Sequence, residues 1–171
     1  NALIDDFMYQ RTGSRMDQNG NLALSGKVNS KVLKTLMENP FFEMKGPKSL
    51  DRNHFDSSPV FELSDADAAA TLCAFTAEAV RKSISHFQNS PSLCAVSGGG
   101  RKNKAIIREL EKRLETKVST TEEFGWEGDY LESQAFAYLA VRSVKGLPLS
   151  LPSTTGVSKS VSGGTLHPKE V

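Results

Sequence analysis

The sequence predicts an α/β protein that is rich in helix and has an incomplete sheet. Five segments have a helical spacing of apolar residues. Only two short runs, residues 92–97 and 117–121, have the composition of strands, and predicted helices flank both of them. Because two strands do not make a stable sheet, the missing strands lie elsewhere in this chain or in a larger fold. We favour the larger fold, since the chain starts at Asn1 rather than at Met.

Three helices are predicted in the first half of the chain, over residues 2–11, 30–37 and 64 to about 87. Gly13 stands at the C-cap position of the first helix, and Asn29 or Ser30 can cap the second. Ser64 begins the third, which carries acidic residues in its first turn, where the helix dipole favours them. The intervening residues, 14–28 and 41–59, are too rich in turn-forming residues for regular structure.

The second half predicts a strand, a glycine turn and a helix, followed by a second strand and another helix. In chain order these are residues 92–97, Gly98-Gly99-Gly100, and residues 103–114, 117–121 and 129–145. Residues 147–171 are rich in Ser, Gly, Pro and Thr, which predicts an extended tail.

Composition narrows the function classes. The chain has 21 Lys and Arg against 20 Asp and Glu, a net charge of +1, which argues against nucleic acid as a partner. No apolar run is long enough to span a membrane, and no export signal is visible, so we expect a cytoplasmic protein without a membrane partner. Cys73 and Cys94 lie in apolar runs and are predicted to be buried free thiols, as in a reducing compartment.

The glycine turn is the most informative stretch for chemistry. Gly98, Gly99 and Gly100 let the backbone approach a ligand without a Cβ in the way, and the following helix offers free N–H groups to a phosphate or ribose. Asn103 could bond ligand oxygens or cap this helix. The stretch matches neither the dinucleotide fingerprint nor a Walker A loop. A tight strand-to-helix connection without a ligand is the alternative.

Other candidate residues have equally plain alternatives. Glu132, in the first turn of an apolar helix, could point into a cleft or could simply stabilise the helix dipole from the surface. Lys48 and Arg52 could bind an anion or could belong to a solvated loop. The three histidines are scattered, so we predict no metal-ligand set in this chain.

Five stretches share the order of motifs in one known family. They are Asn1-Ala2-Leu3-Ile4-Asp5, Pro47-Lys48-Ser49-x-x-Arg52, Val96-Ser97-Gly98-Gly99-Gly100-x-x-Asn103, Leu131-Glu132-x-x-Ala135-Phe136-Ala137-Tyr138-Leu139-Ala140, and Leu151-Pro152-Ser153-x-Thr155-Gly156. Together they resemble the C-terminal half of anhydro-N-acetylmuramic acid kinases. Ser97 stands where the family more often has Cys or Gly.

The resemblance implies the second lobe of an actin-like ATPase (ribonuclease H-like) fold, with part of its sheet supplied by upstream sequence. It also implies ATP and Mg²⁺ in the cleft between two lobes, and a homodimer formed through the second lobe. The family hydrolyses the 1,6-anhydro bond of anhydro-N-acetylmuramic acid and phosphorylates O6. The products are N-acetylmuramate 6-phosphate and ADP, and the pathway is peptidoglycan recycling.

Site residues follow from the same resemblance. Residues 1–171 would form the C-terminal lobe, without the N-terminal lobe and without a catalytic residue, because the family's base Asp lies five residues before Asn1. Nucleotide-binding residues would be Gly98, Gly99, Gly100 and Asn103. Substrate-binding residues would be Glu132, Asn1, Lys48 and Arg52. We therefore expect this chain to be inactive by itself.

Two other interpretations stay open. The chain could be a non-catalytic nucleotide-binding or dimerisation module of the same fold, or it could belong to another sugar kinase. An Asp-Thr-Gly-Pro-Gly run directly before Asn1 would favour the enzyme, and its absence would favour the module. The Lys48 segment and the Leu151 tail favour the anhydro-sugar kinase over other sugar kinases.

Overall fold

A long central helix organises the molecule. The computed structural model describes residues 1–168, except for the side chain of Arg52. Helix α4, Asp65–Ile84, begins where the Ser64 hydroxyl accepts a hydrogen bond from the Asp67 amide, as the sequence predicts. Its middle is buried on all sides, from Ala68 to Phe75, which is typical of a helix at the centre of a core.

Four further helices pack around α4. They are α1 (Ala2–Thr12), α2 (Asn21–Ser25), α3 (Ser30–Met37) and α5 (Lys104–Arg113). Gly13 ends α1 in the left-handed region, at φ 72°, and Asn29 caps α3 by accepting hydrogen bonds from the amides of Lys31 and Val32. The predicted bounds of α1 and α3 are confirmed to within one residue, because these caps are local signals.

The aromatic residues of the core form one cluster beside α4. The rings of Phe41, Phe42 and Phe55 contact one another, and those of Phe42 and Phe55 also contact Phe75, with centroids 5.4–6.1 Å apart. Phe42 and Phe75 are buried. Residues 41–59, predicted to be irregular, are therefore held by side-chain packing, with short 3-10 turns at Pro40–Glu43, Arg52–His54 and Ser58–Glu62.

The sheet of the described residues consists of two parallel strands, β1 (Leu93–Val96) and β2 (Lys117–Thr120). Leu93 pairs with Lys117 and Val96 with Thr120. Helix α5 makes the crossover between them, so this part of the chain is one βαβ unit. The helix-rich α/β class with a minimal sheet is confirmed.

Helix α6, Leu131–Val144, packs loosely, and none of its residues is buried. Its exposed large apolar side chains are Phe136, Tyr138, Val141 and Val144. After it, Ser150 and Val161 form an antiparallel bridge, and a short helix α7, Pro152–Thr155, interrupts the segment predicted to be extended.

Two expectations about element bounds differ from the structure. Residues 14–28 contain a 3-10 turn, Gln18–Gly20, and helix α2, although their composition predicts irregular chain. Helix α4 ends at Ile84 rather than near Phe87, which is 64% exposed, so burial of its side chain does not stabilise a longer helix.

Cys73 and Cys94 are both free thiols, as predicted; Cys73 is buried, as expected, whereas Cys94 is only half-buried. Among residues 1–168, no helix combines the length and the apolar character needed to cross a membrane.

Candidate functional site

The glycine turn joins β1 to α5, as the sequence predicts. Gly98 has φ 68° and ψ −169°, a conformation essentially restricted to glycine. A 3-10 turn at Gly99–Lys102 follows, and α5 begins after Asn103. The backbone conformation at residue 98 therefore requires glycine, whether or not the turn binds a ligand.

Gly99 and Gly100 border a cavity of about 340 Å³. A Cβ built on either residue would have no heavy atom within 4 Å, so their backbone faces open space rather than packed protein. Such a backbone can approach a ligand closely, which is the arrangement used for phosphates and nucleotides at helix N-termini. A nucleotide site also needs hydrogen-bond donors around the cavity.

The opposite wall of the cavity comes from the N-terminal part of the chain. Its lining there includes Asn1, Asp5 and the segment 16–19. Asn1 precedes α1, and its side-chain amide donates to the Thr76 hydroxyl of α4. Asn1, which is predicted to bind substrate, therefore lines the same cavity as the glycine turn, although the two lie far apart in sequence.

Asn103 caps α5. Its Oδ1 accepts hydrogen bonds from the amides of Ala105, at 3.0 Å, and Ile106, at 3.1 Å. Asn103 also lines the cavity, and its Nδ2 group donates no hydrogen bond within the described residues. The capping alternative is therefore confirmed, and ligand binding through Nδ2 stays a prediction that the geometry permits.

Arg101 lies behind the glycine turn. Its side chain is only 8% exposed, and its guanidinium donates to the Gly98 carbonyl and to the carboxylates of Glu122 and Asp129 at 2.6–2.9 Å. Lys102 Nζ binds both oxygens of Asp129 at 2.9 Å. The hydrogen bonds from Arg101, which has the larger effect, and from Lys102 hold the pKa of Asp129 far below its usual range.

Glu132 and Lys48 do not line this cavity. Glu132 is exposed in the first turn of α6. Lys48 Nζ donates to the carbonyl of Phe41 at 2.6 Å and lies 4.6 Å from the centre of its ring, so it holds the local chain. The side chain of Arg52 lies outside the described part of the chain. Substrate binding by these three residues stays a prediction.

A family model described as anhydro-N-acetylmuramic acid kinase matches residues 1–169. The chain belongs to the anhydro-N-acetylmuramic acid kinase family. Relatives of that name include proteins from Caulobacter vibrioides, 48% identical over 97% of this chain, and Rhodospirillum rubrum, 48% identical over 98%. Another, from a Ruegeria species, is 48% identical over 97%. The chain spans 45% of the length of each of these curated relatives.

Asp17, Gln18 and Asn19 line the same cavity, and sequence reasoning did not predict them as site residues. The Asp17 carboxylate accepts hydrogen bonds from the amides of Leu22 and Ala23, which fixes the start of α2 at the cavity. A Cβ on Gly20 would overlap Asn103 Oδ1 and would lie 2.9 Å from the Ala105 amide nitrogen. The spacing Asp17, Gly20, Ala23, Gly26, with a small residue every third position, was the available signal for a packed turn.

Among residues 1–168, no three His, Cys, Asp or Glu side chains converge as a metal site. The lining of the cavity includes the backbone of Gly99 and Gly100 and the carboxylates of Asp5 and Asp17.

Proposed function

We propose that this chain forms the nucleotide-side lobe of an ATP-dependent kinase that acts on 1,6-anhydro-N-acetylmuramic acid. The family match over residues 1–169 carries the proposal. The lobe would have the actin-like ATPase fold, and the βαβ unit with its glycine turn is consistent with the part of that fold that meets the nucleotide. The reaction would belong to peptidoglycan recycling in the cytoplasm.

ATP would lie in the cavity of about 340 Å³ at the glycine turn. Gly99 and Gly100 leave room for the adenosine part, and Asn103 Nδ2 can donate to its oxygens. Lys102 borders the same cavity, with its ammonium group bound to Asp129. These features support nucleotide binding over an empty strand-to-helix connection.

Mg²⁺ would balance the negative charge of the transferred phosphoryl group. This ion keeps several waters and is commonly held by one or two carboxylates together with substrate phosphates. Asp5 borders the cavity and would be the carboxylate that this chain offers, because the oxygens of Asp17 already accept backbone amides. The single carboxylates of the cavity thus fit a metal that arrives with ATP.

In the proposed reaction water adds to the anomeric carbon, the 1,6-anhydro bond opens, and O6 takes the γ-phosphoryl group. The base would be the family's Asp upstream of Asn1. Asn1 and Glu132 would bind the sugar and hold it in line with the phosphate. Asn1 lines the same cavity as Gly99 and Gly100, which supports a contact between Asn1 and both substrates.

Homodimer formation through this lobe is part of the same proposal. Helix α6 exposes Phe136, Tyr138, Val141 and Val144, each more than half accessible. Such a concentration of exposed apolar side chains is typical of a surface that another chain or lobe covers.

The role of Glu132 gives a sharp test in the chain extended upstream to the length of its relatives, called here the extended protein. Glu132→Gln should lower kcat/KM for the anhydro-sugar more than about tenfold, since a lost charged hydrogen bond costs about that much. The Kd for ATP should stay unchanged. Glu111→Gln, at an exposed site on α5, is the matched control. Equal kcat/KM for both variants would remove Glu132 from the sugar site.

A further inference from the structure

The Arg101 side chain connects three segments of the chain at one nearly buried point. Its Nη1 donates to the Gly98 carbonyl at 2.8 Å and to Asp129 Oδ1 at 2.9 Å, and its Nε donates to Glu122 Oε1 at 2.6 Å. Gly98 lies in the glycine turn, Glu122 in the 3-10 turn after β2, and Asp129 just before α6. The guanidinium therefore holds the turn against the segment that follows β2.

The backbone adds a second connection between the same segments. The Gly98 amide donates to the Gly128 carbonyl at 3.1 Å. Gly128 is buried, and a Cβ there would overlap Arg101 Nε and lie 2.7 Å from Glu122 Oε1. The absence of a side chain at Gly128 is thus what admits the guanidinium. Gly98 has both its amide and its carbonyl bound from behind the turn.

Arg101 does not line the cavity, whereas its neighbours Gly100 and Lys102 do. With Gly98 fixed at both polar atoms, Gly99 and Gly100 keep their backbone directed at open space. Glycine has the largest conformational freedom of any residue, so three in succession need an external restraint to hold one shape. The guanidinium supplies that restraint.

We propose that Arg101 is a positioning residue for the nucleotide, holding the glycine turn in its binding shape from behind. This inference rests on the proposed function, because it assumes that ATP occupies the cavity at Gly99 and Gly100. Pre-ordering of the turn lowers the entropy lost on binding and so strengthens binding without any direct contact.

Only arginine satisfies all three acceptors. Its planar fork carries five donors in fixed directions, while lysine carries one compact ammonium group. Arg101→Lys retains the charge, and Lys102 still neutralises Asp129 at 2.9 Å. The substitution therefore changes hydrogen-bond geometry at the turn with little change in electrostatic potential over the cavity.

The test compares ATP binding by the extended protein with and without Arg101→Lys, using isothermal titration calorimetry. We expect the Kd for ATP to rise about tenfold, since small misplacements of positioning groups have effects of that size or larger. In the ADP-release assay the KM for ATP should rise by a similar factor while kcat changes less than twofold, a split that general loss of folded protein would not give.

Arg81→Lys is the matched control, because Arg81 also binds a carboxylate through Nε, that of Glu78 at 2.9 Å, but on α4. Its Kd for ATP should equal that of the wild type. If Arg101→Lys does not fold, Glu122→Gln decides instead: a raised Kd for ATP in the folded variant supports the inference, and an unchanged Kd overturns it.

The outcomes separate this inference from the proposed function. Tight ATP binding by the wild type with an unchanged Kd in Arg101→Lys would overturn the positioning role and leave the nucleotide site intact. A folded wild type that binds no ATP would overturn the nucleotide site, and the role of Arg101 with it.

Discussion

The contact between Gly20 and Asn103 yields a prediction whose magnitude follows from the structure. Gly20 has φ 74°, and its Cα lies against the side chain that caps α5. In Gly20→Ala the residue must adopt a left-handed conformation, which costs about 1 kcal/mol for an L residue. The new Cβ also displaces Asn103 Oδ1, and loss of such a cap costs about 1 kcal/mol more. We expect a total loss of about 2 kcal/mol in the free energy of unfolding.

Gly13→Ala separates the two contributions. Gly13 has φ 72°, but a Cβ there would have no heavy atom within 4 Å. It should lose about 1 kcal/mol, from the backbone conformation alone. Urea unfolding followed by circular dichroism measures both variants, and the difference between them gives the cost of the close approach.

The double variant with Asn103→Ala completes the test. Removing the Asn103 side chain removes the nearest atom that the new Cβ would overlap and leaves only the Ala105 amide nitrogen close to it, so the two changes should be less than additive. Equal losses in Gly13→Ala and Gly20→Ala, or strict additivity with Asn103→Ala, would refute the proposed link between the segment 17–26 and the cap of α5.

Three further predictions concern the turn, its ion pairs and the core thiol. Gly99→Val should raise the Kd for ATP in the extended protein at least tenfold. The free energy of unfolding should stay the same, since a Cβ at residue 99 meets no protein atom. An unchanged Kd would exclude the glycine turn from the nucleotide site. Arg101 lowers the pKa of Asp129 in the folded state, so this ion pair contributes its full stability at a pH above the ordinary pKa of 3.8 and loses it as the pH falls below that value. Asp129→Asn should therefore flatten the acid limb of a plot of unfolding free energy against pH. Parallel acid limbs for the wild type and the variant would contradict the ion pair. Burial raises the pKa of the Cys73 thiol to about 12, so the folded protein should protect this thiol from a thiol reagent at pH 8. Mass spectrometry locates the labelled cysteine. Rapid labelling of Cys73 would contradict the central position of α4.

Local signals predicted the elements whose ends are set by their own sequence. The side chains of Ser64 and Asn29 accept hydrogen bonds from backbone amides two or three residues further along the chain, so the starts of α4 and α3 could be predicted. The glycine turn could be predicted for the same reason, because Gly98 needs its positive φ whatever surrounds it. These features depend on few residues that are neighbours in the chain.

Features that depend on distant residues could not be predicted. Helix α2 is five residues long and forms because Asp17 binds its first amides and α4 packs beside it. The partners of Arg101 lie 21 and 28 residues further along the chain, and no spacing rule connects them. The hydrogen bond from Lys48 Nζ to the Phe41 carbonyl could not be predicted from composition either, and substrate binding by Lys48 stays a prediction.

The most direct measurement is ADP release by the extended protein with 1,6-anhydro-N-acetylmuramic acid, ATP and Mg²⁺, alongside the 171-residue chain alone. The proposed function predicts sugar-dependent ADP release by the extended protein and none by the chain of residues 1–171. A folded extended protein that binds ATP but releases no ADP with this sugar would contradict the kinase and favour a non-catalytic nucleotide-binding module.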